Sequence, residues 1–278
     1  MSKLKAHTAP TSILTRAWHL IQPVVPNNLE ITVRRYGQVI HSRHLSASDR
    51  LLLSYPKSGS TWLRTMIAQL QSRGSASAGD LASWVPPLHM AGSSPLATPR
   101  VVRSHDAINT PFFGKAGQIL VLVRDPRALV VSYATHESRR GRTVTVAQSV
   151  DKLLGNGFNG LGSWVEHTRS LLSAIDHKSV NWVRYEDLRK DTYSELTNII
   201  NYLGIKASCD EVQQAVDLSR PEKMKSDRRN AGVESDGRGG SDVREAHVEQ
   251  WRKECPVAQQ ERIVSAAGGL MEKFNYDC

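Results

Sequence analysis

LLLSYPKSGSTWLRTMIAQL, residues 51–70, changes its hydrophobic period half-way along. Leu51 to Tyr55 is a continuous apolar run halted by Pro56, the pattern of a strand buried on both faces. Trp62, Leu63, Met66, Ile67 and Leu70 then recur at the spacing of one helix face. Strand, short Gly/Ser loop and helix in that order make an anion site. The first N–H groups of the helix are unpaired and the positive end of its dipole lies behind them. Gly59 lets the backbone come close to a ligand, Ser58, Ser60 and Thr61 add hydroxyl donors, and Lys57 adds a positive charge. The Lys precedes the Gly and no GxxxxGK is present, so the loop is not that of the nucleotide triphosphatases.

The rest of the chain repeats the strand–loop–helix alternation. RVVRS (100–104), ILVLV (119–123) and VNWVR (180–184) read as three further apolar strands. Pro126 stands where a helix begins, because its missing N–H costs nothing at a first-turn position. A helix over 192–203 ends at Gly204, and another covers about 256–273. Such an order predicts the α/β class, with a central parallel sheet flanked by helices. We expect residues 1–278 to form a single domain. Within it, 1–48 is an N-terminal extension with a helix near 12–21 and two short strands around Tyr36-Gly37. Residues 219–245, charged and rich in Gly, read as a mobile loop or lid.

Composition narrows the function. The chain has 278 residues and a formal charge of +9, from 36 Lys and Arg against 27 Asp and Glu. The basic residues are spread along the chain and aromatics make up 6%, so no stacking platform for nucleic acid is expected, and charge alone leaves a solvated surface and an anion-binding one both open. No apolar run reaches the roughly 18 residues of a membrane span. Cys209, Cys255 and Cys278 form neither a disulfide framework nor a zinc pattern, which predicts a cytoplasmic protein.

YPKSGSTW closely resembles the 5′-phosphosulfate loop of the sulfotransferases that use 3′-phosphoadenosine 5′-phosphosulfate (PAPS), whose usual form is YPKSGTTW. Further elements follow in the family's order. Arg124 with Ser132, eight residues on, is similar to the 3′-phosphate site. Gly162-Ser163-Trp164 with His167 resembles a GSWxxH segment, Tyr185-Glu186-Asp187 a YED element, and Tyr202-Leu203-Gly204 an FLG. Trp251-Arg252-Lys253 resembles the start of an RKG motif, although Glu254 replaces its Gly. The resemblance implies PAPS as donor, adenosine 3′,5′-bisphosphate (PAP) as product, and a small-molecule, lipid or carbohydrate hydroxyl, or an amine, as acceptor.

It also implies roles. His105, in the place of the family's KTH histidine, would be the general base, a task suited to an imidazole whose ordinary pKa lies near neutrality. Arg103 replaces the Lys of that motif and keeps a positive charge for the sulfuryl oxygens. Lys57 would stabilise the oxygen of the breaking S–O bond. Contacts to the nucleotide fall to Lys57, Ser58, Gly59, Ser60, Thr61, Trp62, Arg124, Ser132, Tyr185, Ser219, Arg252 and Lys253. No metal is expected, because Lys57, Arg103 and the helix dipole supply the charge. Two alternatives remain: a P-loop kinase, which needs a Lys after the Gly, and a relative that binds nucleotide without turnover.

Overall fold

The computed structural model describes residues 43–92, 96–106, 116–173, 180–232 and 248–278. The helix and strands expected before residue 43 lie outside them. Four parallel strands, β1 (Arg50–Ser54), β2 (Val101–Ser104), β3 (Gln118–Val123) and β4 (Val180–Arg184), form one sheet in the order β2-β1-β3-β4. The register pairs Leu53 with Ser104 on one side of β1 and with Val121 on the other.

Alternation along β1 shows why the sheet needs helices on both faces. Leu51 and Leu53 join a core with Val121, Leu129 and Trp164, while Leu52 joins another with Leu63, Ile67, Leu120 and Ile199. Every residue of 51–53 is fully buried, and each leucine contributes about 1.5–3 kcal/mol by leaving water.

The Leu52 face is covered by α1 (Ser60–Gln71) together with helices from later in the chain. Between α1 and β2 lie α2 (Leu81–Trp84) and a 3₁₀ turn at Leu88–Met90. After β3 come α3 (Pro126–Arg139), α4 (Val146–Leu154) and α5 (Trp164–Ser173). After β4 come α6 (Tyr185–Lys190), α7 (Thr192–Leu203), α8 (Cys209–Leu218) and α9 (Pro221–Asn230). The described chain ends with α10 (Trp251–Glu254) and α11 (Val257–Met271). Local chemistry sets several boundaries. Asp125 caps α3 by accepting from the Arg127 N–H, with Pro126 in the first turn; Gly204 closes α7 at φ 72°.

One expectation needs correction. Residues 219–245 are not a loop throughout, because 221–230 form α9. Pro221 opens that helix and Met224 alone is buried on it. A helix that anchors through one apolar side chain shows almost no hydrophobic period, and so reads as a loop. The portion from 233 to 247 lies outside the described residues. Trp84, Pro86, Pro87, Leu88 and Met90 make a packed connection, tied by a parallel bridge between Pro87 and Arg103.

Candidate active site

The chain from β1 runs outward to β2 on one side of the sheet and to β3 on the other. The crevice at the carboxyl ends of β1 and β3 is therefore a switch point, where open α/β sheets bind ligands. A cavity opens there. Lys57, Gly59, Ser60, Thr61 and Trp62 line it from the loop after β1 and the start of α1. His105, just past β2, Arg124, just past β3, and Ser132 on α3 line it too. Tyr185, the first residue after β4, closes one wall. The ends of all four strands thus meet at one site.

The loop is held in an unusual backbone. Lys57 has φ 73° and Gly59 φ 94°. The first is uncommon for a residue with a side chain, and such strain is found where a site over-determines the conformation. At Gly59 a side chain is excluded twice, since a Cβ would stand 2.5 Å from the Tyr185 ring. Arg124 donates from Nη1 to the Lys57 carbonyl at 2.9 Å and sets its guanidinium 4.3 Å from the centre of the Tyr185 ring. Asp125 does not take that guanidinium. It is paired with Arg127 through both carboxylate oxygens, at 2.7–3.2 Å, which leaves Arg124 to face the cavity.

Orphaned polar atoms gather at the cavity, one on Arg124 in its lining and two on serines just outside that lining. Ser58 Oγ, Ser219 Oγ and Arg124 Nε are buried without a hydrogen-bond partner among the described residues. Leaving such groups unmade costs about 1–3 kcal/mol each, so a ligand rich in anionic oxygens fits this donor set. The donors, a helix N-terminus and the cations of Lys57, Arg124 and Arg189 suit phosphate and sulfate groups, and the flat rings of Trp62 and Tyr185 suit a planar base. Trp62 is fixed by its indole N–H on the Ser219 carbonyl at 3.0 Å and has Arg189 5.0 Å from its ring.

His105 sits across from the loop. Its Nδ1 is 2.8 Å from the carbonyl oxygen of Ser54 and 3.2 Å from the Ser54 hydroxyl. A carbonyl oxygen only accepts, so Nδ1 carries a hydrogen, and in the neutral ring Nε2 then keeps its lone pair. That tautomer is the one a general base needs.

The expected residues are not all brought together. Arg103 does not line the cavity. It is half-buried on the side of β2 that faces α1, close enough to Arg64 that it adds to burial in pulling that guanidinium down to about 9. Arg252 and Lys253 are exposed. Arg252 reaches Glu249 and Asp277 at 3.3 Å. In their stead Gln250 and Trp251 face the cavity, with Arg127 stacked 3.8 Å from the Trp251 ring. Ser219 acts from behind Trp62. Several lining residues were not expected as site residues, among them His136, Asn159, Arg189, Gln250 and Trp251. Helical spacing holds the signal for two of them. Ala128, Val131, Ser132 and His136 follow one face of α3, and Arg189 stands one turn after Tyr185.

Comparison with known proteins agrees with this arrangement. Residues 47–275 match the family model of the sulfotransferase domain. Rat sulfotransferase 2A1 is 28% identical over 229 residues, 77% of this chain and 81% of its own. A guinea-pig (Cavia porcellus) 3-beta-hydroxysteroid sulfotransferase is 27% identical over 233 residues, with 77% and 80% covered. Among solved structures, mouse sulfotransferase SULT7A1 complexed with PAP superposes with a TM-score of 0.62 at 23% identity over 84% of this chain and 86% of that one. Retinol dehydratase with androsterone and PAP gives 0.64 at 17% identity, covering 84% and 83%. At these identities the two structures speak for the fold.

Proposed function

This chain belongs to the sulfotransferase domain family, and from that premise we propose how its own residues carry the reaction. It is a PAPS-dependent sulfotransferase, which passes a sulfuryl group to an acceptor and leaves PAP. One observation carries the assignment of roles: Lys57 and Gly59 to Trp62 of the loop, Arg124, Ser132 and His105 line a single cavity, with Ser58 buried behind them.

PAPS supplies the activated sulfuryl group, and the chain supplies position and charge. Arg124, through a guanidinium suited to paired hydrogen bonds, and Ser132 bind the 3′-phosphate. Ser58, Gly59, Ser60 and Thr61 bind the 5′-phosphosulfate at the helix start. Trp62 and Tyr185 hold the adenine. Lys57 neutralises negative charge on the oxygen released as the S–O bond breaks. His105 takes the acceptor proton on Nε2, and its Nδ1–H, already on the Ser54 carbonyl, stabilises the imidazolium formed.

The acceptor we propose is a small hydroxylated molecule, the class named for the steroid-sulfating relatives. We read residues 1–278 as one catalytic unit, and the free thiols of Cys209, Cys255 and Cys278 support a cytoplasmic setting. No described helix is long and apolar enough to cross a membrane.

Calorimetry with PAP in the presence of EDTA tests the nucleotide reading, and transfer of label from sulfur-labelled PAPS into a cell extract tests the reaction. Magnesium-free PAP binding, lost in Arg124→Ala, together with a labelled product, is expected. Binding of ATP–magnesium in preference to PAP would point to a kinase.

A further inference from the structure

His167 is used by none of the steps above, yet it is fully buried and bonded to the residue that matters most. It lies on α5, in its first turn and a half, and its Nε2 is 2.9 Å from the backbone carbonyl oxygen of His105, 62 residues away. The carbonyl can only accept, so Nε2 carries the hydrogen. The other ring nitrogen, Nδ1, is buried with no hydrogen-bond partner among the described residues. Burial also pushes the imidazole down to about 4, so it is neutral at neutral pH and stays in this tautomer.

An apolar ring would fill the same space without burying an unmet nitrogen. What such a ring cannot do is donate to His105. The position of that donor is closely set. Ser163 and Glu166 cap the start of α5 reciprocally, Ser163 Oγ accepting from the Glu166 N–H at 3.1 Å and Glu166 Oε2 from the Ser163 N–H at 3.0 Å. Tyr55, first residue of the phosphate loop, donates to the Gly162 carbonyl at 3.0 Å and accepts from the Phe158 N–H at 3.1 Å. Its ring meets that of His167 edge-on at 5.1 Å. The turn that anchors the loop therefore also fixes the height of His167. The β1–β2 ladder runs to the Leu53–Ser104 pair, and His105 is the next residue along.

We propose that His167 is a positioning residue for the base: its Nε2–H, donated to the His105 carbonyl, holds that strand end so that His105 keeps Nδ1–H on Ser54 and turns Nε2 to the cavity. The proposal rests on His105 being the base, but its test is independent of turnover. Protein labelled with ¹⁵N-histidine and saturated with PAP is examined by two-bond ¹H–¹⁵N correlation, with the His105 signals assigned by their loss in His105→Gln. His167→Gln places a donor where Nε2 stands; His167→Asn and His167→Phe do not.

Wild type and His167→Gln should show His105 as the Nδ1–H tautomer. Asn and Phe should shift it to a mixture with the Nε2–H form, while the Kd for PAP stays within about twofold. If one of these two variants fails to fold, as read by circular dichroism, the other carries the comparison. Retention of Nδ1–H in a folded Asn or Phe variant, or its loss in Gln, overturns the proposal. Failure of the wild type to bind PAP would instead strike the nucleotide reading and leave the tautomer comparison standing.

Discussion

The phosphate loop and the His105 shelf face one another across the cavity but are built on different scales. The loop is local: β1, five loop residues and α1 are contiguous, and nearly all its donors come from residues 57–62. The shelf is assembled from a distance. Ser54 on β1 fixes the ring of His105, and His167 on α5 fixes its carbonyl. A binding site for an anion can be made from one turn of backbone because helix starts point their N–H groups outward whatever follows. Orienting a single imidazole needs two directions to be fixed at once, and a strand end cannot supply both.

The largest effect expected from the contrast is at Lys57. Lys57→Ala should lower kcat by roughly three orders of magnitude, the scale for removing a donor from developing charge, with the Kd for PAP changed less than about tenfold. Wild-type kcat in this variant would break the division between a loop that binds and a charge that acts.

Next comes the pH dependence of folding that His167 adds from the shelf. The folded-state pKa of His167 is depressed to about 4 from 6.5. The unfolded chain therefore binds this proton first as pH falls, and stability is lost from about pH 6.5 down through about pH 4. The burial involved corresponds to on the order of 3 kcal/mol. The hydrogen bond to His105 and the charge of Asp106 oppose the depression of His167, and buried Glu186, whose pKa is raised, adds stability as pH falls toward about 4.5, the opposite sign within the same range. Urea unfolding of wild type against His167→Gln isolates the histidine. Equal slopes in both proteins between pH 7 and 4.5 would show that His167 is not held neutral.

Arg124→Ala should follow, with the KM for PAPS raised about tenfold to a hundredfold, the scale of one lost charge-assisted contact. The preference over adenosine 5′-phosphosulfate should shrink by the same factor. An unchanged preference would move the 3′-phosphate elsewhere.

The smallest effect sharpens the contrast most. Arg252→Ala and Lys253→Ala should each change the Kd for PAP by less than about threefold, because both side chains are exposed and Arg252 is engaged in surface pairs. Trp251→Ala should do more, since that ring lines the cavity under Arg127. Were Arg252→Ala the more damaging of the two, the placement of the clamp on residues 250 and 251 would be wrong.

These residues also show how far reading the chain carries. Strand β4 and helix α7 have the boundaries their patterns predict, and Pro126 and Gly204 stand where helix chemistry requires. Such features are legible because period, cap and breaker act within a few residues. Helix α9 was not, because Met224 is its one buried residue and the rest of its sequence is polar.

By itself, then, the sequence determined the α/β class, the parallel sheet and an anion loop at the end of its first strand, since each follows from interactions between near neighbours. Only the tertiary structure decided that Arg103 stays out of the cavity lining, that Asp125 pairs with Arg127 and leaves Arg124 to the cavity, and that Trp251 replaces Arg252 at the wall. It alone set the tautomer of His105, through Ser54 and His167. A charge or ring takes the partner that packing brings within about 3 Å, and those partners lie far away in the chain.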